Sequence, residues 1–182
     1  MKGLMLLSNN IEDAEAIATR ALLERAKIDI TTATFNRDKR VKMAYGAVVE
    51  ADLLSREVNV LDYEFLVIPG GRYVSEVLNV SDINIKNLIK EFYDNNKVVA
   101  AICAAPMFLG ELGLLEEKEY TIFPSCEKPS YKGILKQDKK AITSGKIITG
   151  RSVGAVVEFS YEIIKYFKGK DAADSFLKNI YY

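Results

Sequence analysis

The sequence has 182 residues with 25 basic and 25 acidic side chains, so its formal net charge is zero and favours neither nucleic acid nor an anionic membrane. Hydrophobic residues make up 49%, as in ordinary soluble globular proteins, and the length predicts one domain, residues 1–182. Histidine is absent and there are two cysteines, which excludes histidine-dependent catalytic triads, histidine-ligated zinc and four-cysteine metal sites.

In the first part of the chain, short apolar runs alternate with a helical pattern. The predicted elements are a strand at Lys2–Leu7, a helix from Ile11 to about Lys27 after an Asn9-Asn10 cap, a strand at Ile28–Phe35, short strands at Lys42–Val49 and Glu57–Val60, and a buried strand at Phe65–Ile68 before Pro69-Gly70-Gly71. This alternation is typical of α/β proteins.

The same alternation continues to the end of the chain. The predicted elements are a helix capped by Ser81-Asp82 with an apolar face of Ile85, Leu88, Ile89 and Phe92, a buried strand at Val98–Ile102, a helix from Ala104 or Ala105 to about Leu112, strands at Tyr120–Phe123, Lys139–Thr143 and Lys146–Thr149, and helices at Gly154–Phe167 and Asp171–Ile180. Fully apolar central strands between helices predict a doubly wound α/β sandwich with a mostly parallel sheet. In such sheets, ligands bind at the carboxyl ends of the central strands.

Cys103 follows one of these central strands, and small residues surround it, namely Ala101, Ala104 and Ala105. A sharp strand-to-helix turn needs small neighbours, as in the nucleophile elbow of hydrolases. A thiol at a helix N-terminus lies near free amides, so we expect the pKa of Cys103 to be lowered. The alternative is that Cys103 is simply a small buried hydrophobic side chain.

Gly70 and Gly71 follow the other central strand. Their backbone amides could stabilise a developing negative charge, as an oxyanion hole does. The alternative is an ordinary turn, because Pro-Gly-Gly is a strong turn signal.

Glu15 lies on the apolar face of the first predicted helix, which it shares with Ile11, Ala18 and Leu22. A carboxyl group on a buried face is costly unless it has a partner or stays protonated. The alternative is a position at the edge of this face, from which the carboxylate reaches water.

Four parts of the sequence together resemble the ThiJ/PfpI superfamily, best in the branch of the Parkinson-disease protein DJ-one and its bacterial relatives. They are Val98–Pro106, Leu66–Gly71, Glu15, and Ile148–Gly154 followed by Glu158-Phe159. The resemblance covers essentially the whole chain in order. It implies a flavodoxin-like sandwich, usually a homodimer, with a reactive elbow cysteine and an activity that needs no cofactor.

The resemblance also assigns roles to five residues. It implies that Cys103 is the family's reactive elbow cysteine and that Glu15 is the buried glutamate hydrogen-bonded to its thiolate. The family's amides beside the sulfur would come from Gly71 and Ala104, with Gly70 adjacent.

The resemblance also bears on four further residues, two of which match the family and two of which differ from it or are left open. Arg25 falls where the branch has an arginine near a dimer-related anion site, and Arg151 falls where it has one close to the cysteine pocket. Well-known members have His-Pro where this chain has Phe123-Pro124, so Phe123 replaces the third member of a Cys-Glu-His arrangement. Cys126 is either a resolving thiol or a loop residue, and the sequence favours the loop residue.

Members of the branch are described as glyoxalases or deglycases, so the resemblance implies action on small reactive carbonyls through a Cys-Glu pair. The alternative is a redox-responsive stress or chaperone-like protein whose cysteine is oxidised by peroxide to sulfenic or sulfinic acid. A third interpretation, thiazole monophosphate biosynthesis, ranks last because no phosphate loop is present. Peptidase activity is disfavoured because no histidine can protonate an amine leaving group.

The remaining expectations concern location and partners. The longest stretch without charged or strongly polar side chains, Val98–Gly110, is too short to span a bilayer. The N-terminal apolar run, Gly3–Leu7, is too short for a secretory signal. We therefore expect a cytoplasmic protein whose partners are a small carbonyl or peroxide and a second copy of the chain.

Overall fold

A seven-stranded sheet lies at the centre of the protein in the computed structural model, which describes residues 1–80 and 84–182. The strands are β1 (Lys2–Leu7), β2 (Asp29–Thr34), β3 (Arg40–Lys42), β4 (Val48–Glu50), β5 (Leu53–Leu54), β6 (Phe65–Ile68), β7 (Val98–Ile102), β8 (Glu119–Tyr120), β9 (Ile134–Leu135), β10 (Ala141–Ser144) and β11 (Ile147–Gly150). The helices are α1 (Asp13–Arg25), α2 (Tyr73–Asn79), α3 (Asn84–Asp94), α4 (Pro106–Glu111), α5 (Val156–Lys168) and α6 (Lys170–Asn179).

The central sheet has the order β10-β11-β7-β6-β1-β2-β5. Every neighbouring pair is parallel except β10 and β11, which confirms the predicted α/β class with a mostly parallel sheet. The order reverses between β1 and β6, and doubly wound sheets bind ligands beyond the carboxyl ends of the strands at such a point. Gly70 and Cys103 follow the carboxyl ends of β6 and β7.

The sheet forms the core because helices pack against it. All residues of β6 and β7 are buried, as expected for central parallel strands. Helix α1 packs against β1 and β2, helix α3 against β6 and β7, and helix α5 against β7, β10 and β11. The predicted apolar face of α3 is confirmed, since Ile85, Leu88, Ile89 and Phe92 are all buried. The predicted Ser81-Asp82 cap lies outside the described residues.

Helix α1 begins later than expected, and its N-cap is not formed by Asn9 or Asn10. Glu12 is the cap instead, and its side chain accepts the Glu15 N–H at 2.6 Å. Asn10 has a φ of 63° and donates from its side chain to Glu76 at 3.0 Å, so it belongs to the preceding turn. The later start leaves Glu15 in the first turn of α1.

Two short strands predicted before β6 are wrong. The Lys42–Val49 segment is not one strand: it contains the end of β3, a turn and the start of β4, and a 2.8 Å hydrogen bond from the Met43 N–H to the Ala47 carbonyl closes the turn. The Glu57–Val60 segment instead links two 3-10 turns, and the Glu57 side chain fixes the first of them by accepting the Leu54 N–H at 2.7 Å.

Helix α2 is an element that the sequence pattern did not predict. It begins directly after the Gly70-Gly71 turn, and its first residue, Tyr73, is buried and donates from its hydroxyl to the Pro69 carbonyl at 2.8 Å. None of the helices in the described ranges is both long enough and apolar enough to cross a membrane.

Candidate functional site

The sharp turn expected at Cys103 is present between β7 and α4. Cys103 has a φ of 64°, a left-handed conformation that L-residues rarely adopt and that costs about 1–3 kcal/mol. Two backbone hydrogen bonds hold it there: its N–H donates to the Gly150 carbonyl at 2.9 Å, and its carbonyl accepts the Phe123 N–H at 2.8 Å. The partly exposed thiol is therefore presented at the carboxyl edge of the sheet.

Glu15 is fully buried, although it is a carboxylic acid. Its Oε2 accepts the Gly70 N–H at 2.8 Å. Its Oε1 is buried without a hydrogen-bond partner within residues 1–80 and 84–182. The Cys103 side chain also interacts with this carboxyl group. A buried acid with one unused oxygen is suited to hold or transfer a proton.

The ionisation of Glu15 and Cys103 is coupled. Burial raises the pKa of Glu15 from 4.5 to about 7, although interactions with Cys103 and the Gly70 N–H oppose the rise. Burial, followed by the nearby Glu15 carboxylate, also raises the pKa of the Cys103 thiol, and the Ala104 N–H opposes this rise. The lowered cysteine pKa expected from the sequence is therefore wrong, because desolvation outweighs the amide. The two protons leave in steps that belong to the pair.

Gly70 and Gly71 bring α1 and the elbow close together. A Cβ atom at Gly70 would lie 2.6 Å from Cys103 Cβ and 2.7 Å from Glu15 Oε2. Gly71 has a φ of 124°, and a Cβ there would lie 2.6 Å from the Asn10 carbonyl oxygen. Only glycine fits at either position without displacing its neighbours.

The Cys103 side chain opens into a pocket of about 310 Å³. The pocket is lined by Glu12, Glu15, Ala44, Tyr45, Gly71, Arg72, Cys103, Ala104, Phe123 and Val153. The structure thus brings together five residues singled out from the sequence, namely Glu15, Gly71, Cys103, Ala104 and Phe123. The sixth, Gly70, contacts both the cysteine and the glutamate.

The two arginines named in the sequence analysis do not line this pocket. Arg25 lies at the end of α1 and lines a separate groove of about 540 Å³ with residues of α5 and α6. The Arg151 guanidinium donates to the Gln137 carbonyl at 2.8 Å. Arg151 directly follows Gly150, whose carbonyl accepts the Cys103 N–H, so its backbone lies beside the elbow although its side chain does not line the pocket. The expected roles of Arg25 and Arg151 stay predictions.

Two residues that line the pocket, Tyr45 and Arg72, were not predicted from the sequence. The Tyr45 N–H donates to Asp13 Oδ2 at 2.8 Å, which holds the β3–β4 turn against the start of α1. The Arg72 guanidinium donates to the Ala44 carbonyl at 3.2 Å. Arg72 could have been inferred, because it directly follows Gly71, whereas the place of Tyr45 depends on contacts between distant segments.

The arrangement has the parts of a nucleophilic site: a strained cysteine, an acid with a pKa near neutrality, and a pocket between them and solvent. Within the described part of the chain, no group of three or more cysteine, aspartate or glutamate side chains could hold a metal ion.

Comparison with known proteins places the chain in a family. The DJ-1/PfpI family matches residues 1–166. Protein DJ-1 homolog A of Arabidopsis thaliana is 31% identical over 173 residues, covering 94% of this chain and 44% of that relative, so the chain spans less than half of its length. The crystal structure of Drosophila melanogaster DJ-1beta superposes with a TM-score of 0.87 at 28% identity, covering 98% of this chain and 96% of that one.

Two other relatives are named for an activity. The glutathione-independent glyoxalase DJR-1.2 of Caenorhabditis elegans is 26% identical, covering 96% of this chain and 92% of the relative. A deglycase of Pyrococcus abyssi is 28% identical, covering 92% of this chain and 100% of the relative. The extent of the family match and the shared fold show that the chain belongs to the DJ-1/PfpI family.

Proposed function

We propose that the protein converts small reactive carbonyl compounds, as a cofactor-free glyoxalase or deglycase, through Cys103 and Glu15. The observation that carries the proposal is the fully buried Glu15 carboxyl, with a pKa of about 7, beside a strained elbow cysteine that opens into a pocket. The two relatives named as a glyoxalase and a deglycase support the same class of substrate.

In the first step, the Cys103 sulfur adds to the aldehyde carbon and forms a hemithioacetal. Glu15 takes the thiol proton as the C–S bond forms, which is general-base catalysis by a group ionised near neutral pH. It then gives this proton to the former aldehyde oxygen, so the carboxylate is free for the next step. The backbone N–H groups of Gly71 and Ala104 would donate to the oxygen that gains negative charge.

With a 2-oxoaldehyde such as methylglyoxal, Glu15 would next move a proton from the former aldehyde carbon to the adjacent carbonyl carbon, while the hydroxyl proton of the hemithioacetal passes to the adjacent carbonyl oxygen. The former aldehyde carbon is thereby oxidised and its neighbour reduced, so the substrate supplies its own electron acceptor. The result is a thioester on Cys103, which water hydrolyses to lactate and the free thiol. A deglycase would begin with the same addition to an early glycation adduct.

Phe123 sets a limit on this chemistry. It lines the pocket at the place where well-known family members have histidine, and 46% of its surface is exposed. Its ring can bound a small substrate but cannot transfer a proton. All proton transfers in the proposal therefore pass through Glu15 or water, which agrees with small carbonyl substrates rather than peptides.

The second candidate is a redox-responsive protein. Cys103 is partly exposed, and the Ala104 N–H interacts with its sulfur, so an oxidised, anionic cysteine would have a hydrogen-bond donor beside it. Peroxide would convert the thiol to sulfenic and then sulfinic acid. Stress-protein and chaperone-like roles belong to this candidate.

We also propose a cytoplasmic homodimer. The outer face of α1 supports this assembly, because Ile17 is 47% exposed and a groove of about 340 Å³ beside it is lined mainly by apolar side chains, among them Leu7, Ala21 and Val49. A second copy could cover this face. Sedimentation at micromolar concentration tests the assembly, and a species of 20.4 kDa would contradict it.

A turnover assay separates the two candidate functions. Purified reduced protein is incubated with excess methylglyoxal, and lactate is measured over many equivalents of enzyme. Sustained lactate formation that is lost in Cys103→Ala supports the enzyme. Absence of turnover, together with stoichiometric uptake of peroxide at Cys103, supports the redox-responsive protein.

A further inference from the structure

The second cysteine has an unusual position in an exposed loop. Residues 123–130 connect the buried Ile122 to the buried Tyr131, and every residue of this loop is exposed except Cys126. Cys126 is a free, partly buried thiol that packs against the core. A solvent-facing position would be usual for a loop residue, so the inward placement of this thiol needs an explanation.

Backbone hydrogen bonds connect this loop to the elbow. The Phe123 N–H donates to the Cys103 carbonyl at 2.8 Å, and the Cys126 N–H donates to the Phe123 carbonyl at 3.0 Å. The second bond closes a four-residue turn, whose ends are less than about 7 Å apart at Cα. Cys126 is thus separated by a single turn from Phe123, which is hydrogen-bonded directly to the elbow. The charge of the Cys126 thiolate also affects the pKa of Cys103.

We propose that Cys126 is the resolving thiol of Cys103 and forms a reversible intramolecular disulfide with it after oxidation by a hydroperoxide. This assigns Cys126 the role that the sequence alone disfavoured. The proposal goes beyond the carbonyl chemistry and does not rest on it, since it concerns the resting thiols.

Oxidation of the two cysteines proceeds in two steps. The Cys103 sulfur attacks one oxygen of hydrogen peroxide, the O–O bond breaks, and Cys103 becomes a sulfenic acid as water leaves. The Cys126 sulfur then attacks the Cys103 sulfur, the S–S bond forms, the S–O bond breaks, and the hydroxyl group leaves as water with the Cys126 proton. Two thiols thus supply the two electrons that reduce one peroxide to two waters.

The exposed loop that carries Cys126 can adjust to the geometry of a disulfide. Disulfides need Cα atoms about 4.4–6.8 Å apart, and the exposed loop residues have few packed contacts to lose as Cys126 moves toward the elbow. The bond would draw the loop across the pocket wall formed by Phe123. It would therefore close the pocket and protect Cys103 from irreversible oxidation.

Mass spectrometry of the intact protein tests the proposal. Reduced protein is treated with one equivalent of hydrogen peroxide, and remaining thiols are blocked with N-ethylmaleimide. We expect a species that has lost two hydrogen atoms, takes up no blocking reagent, and yields a linked peptide containing Cys103 and Cys126. Mainly sulfinic acid at Cys103 with a blocked Cys126, or a disulfide between two chains, would overturn the proposal.

Two variants sharpen the test. Cys126→Ser is expected to gain oxygen atoms at Cys103 instead of forming the disulfide. The double variant Cys126→Ser/Ser130→Cys keeps a thiol in the same loop at an exposed position, and we expect no internal disulfide from it. Equal disulfide formation from position 130 would show that the inward placement of Cys126 is irrelevant. Methylglyoxal turnover by the reduced protein is measured separately, so failure of the disulfide and failure of the proposed activity are distinguishable.

Discussion

The Gly70 N–H donates a 2.8 Å hydrogen bond to Oε2 of the buried Glu15 carboxyl group. This bond joins the end of β6 to the first turn of α1 and leaves Oε1 free of hydrogen bonds within the described residues. The same glycine lies so close to Cys103 that a Cβ atom would be 2.6 Å from the cysteine Cβ. Gly70 therefore sets the position of the acid relative to the nucleophile.

Replacing the acid by its amide tests the proton-transfer role of Glu15. In Glu15→Gln, the amide oxygen can still accept the Gly70 N–H, but the side chain cannot take up or release a proton near neutral pH. We expect methylglyoxal turnover to fall about 100-fold or more, the usual scale for a lost acid–base group. Steady-state kinetics of the folded variant measures the effect.

A matched control uses a surface glutamate. Glu116 forms an exposed ion pair with Lys132 at 3.2 Å, and Glu116→Gln is expected to keep turnover unchanged. Full activity in Glu15→Gln would remove Glu15 from the mechanism.

Adding one methyl group at Gly70 tests the close packing of the site. In Gly70→Ala, the new Cβ would contact Cys103 Cβ and Glu15 Oε2 at less than 3 Å, so the acid or the elbow must move. We expect lower thermal stability and a loss of turnover. Gly154→Ala is the control, because its nearest neighbour would be 3.9 Å away and stability should change little. Similar behaviour of the two variants would contradict the proposed packing.

Because the backbone of Cys103 is left-handed, we expect glycine to stabilise the protein relative to alanine at this position, the reverse of the usual order. Glycine adopts this conformation without the steric cost that a Cβ imposes, so Cys103→Gly should be more stable than Cys103→Ala by about 1 kcal/mol. At the neighbouring Ala104, whose φ is not positive, replacement by glycine should instead destabilise the protein. Urea unfolding compares the three variants. If Cys103→Ala is the more stable of the first two, the elbow carries no strain.

The raised pKa of Glu15 predicts that its contribution to stability depends on pH. Between pH 4.5 and about 7, the folded protein keeps a proton on Glu15 that the unfolded chain has lost. Because only the folded state binds this proton, the free energy of unfolding falls as the pH rises from 4.5 to about 7. For a fully buried group, this shift corresponds to roughly 3 kcal/mol. Urea unfolding at several pH values should show the decrease in the unmodified protein relative to Glu15→Gln, and parallel curves would contradict it.

The sequence was sufficient to predict the sheet and the elbow because their signals are local. The runs Phe65–Ile68 and Val98–Ile102 are apolar throughout, which is typical of central parallel strands. Glu15 is buried as expected, although α1 buries Glu15, Ala16, Thr19 and Leu23, whereas Ala18 and Leu22 of the predicted apolar face are only partly buried. The alanines around Cys103 indicate a tight turn. Each of these inferences needs only neighbouring residues.

The rest of the site depends on contacts between segments that are distant in sequence. Tyr45 reaches the pocket because its N–H bonds Asp13, 32 residues away. The Arg151 side chain is directed by the Gln137 carbonyl, which no pattern near Arg151 indicates. The direction of the Cys103 pKa shift depends on how strongly the fold buries the thiol beside Glu15, and a helix N-terminus in the sequence does not reveal this.

The dependence of kcat/KM for methylglyoxal on pH tests the central claim, that Glu15 takes the proton from Cys103, most directly. The carboxyl must be ionised to act as the base, so we expect kcat/KM to rise with pH through an apparent pKa of about 7 and then level off. The rise should be absent from the residual activity of Glu15→Gln. A flat profile in the unmodified protein, or the same rise at full rate in Glu15→Gln, would contradict the account.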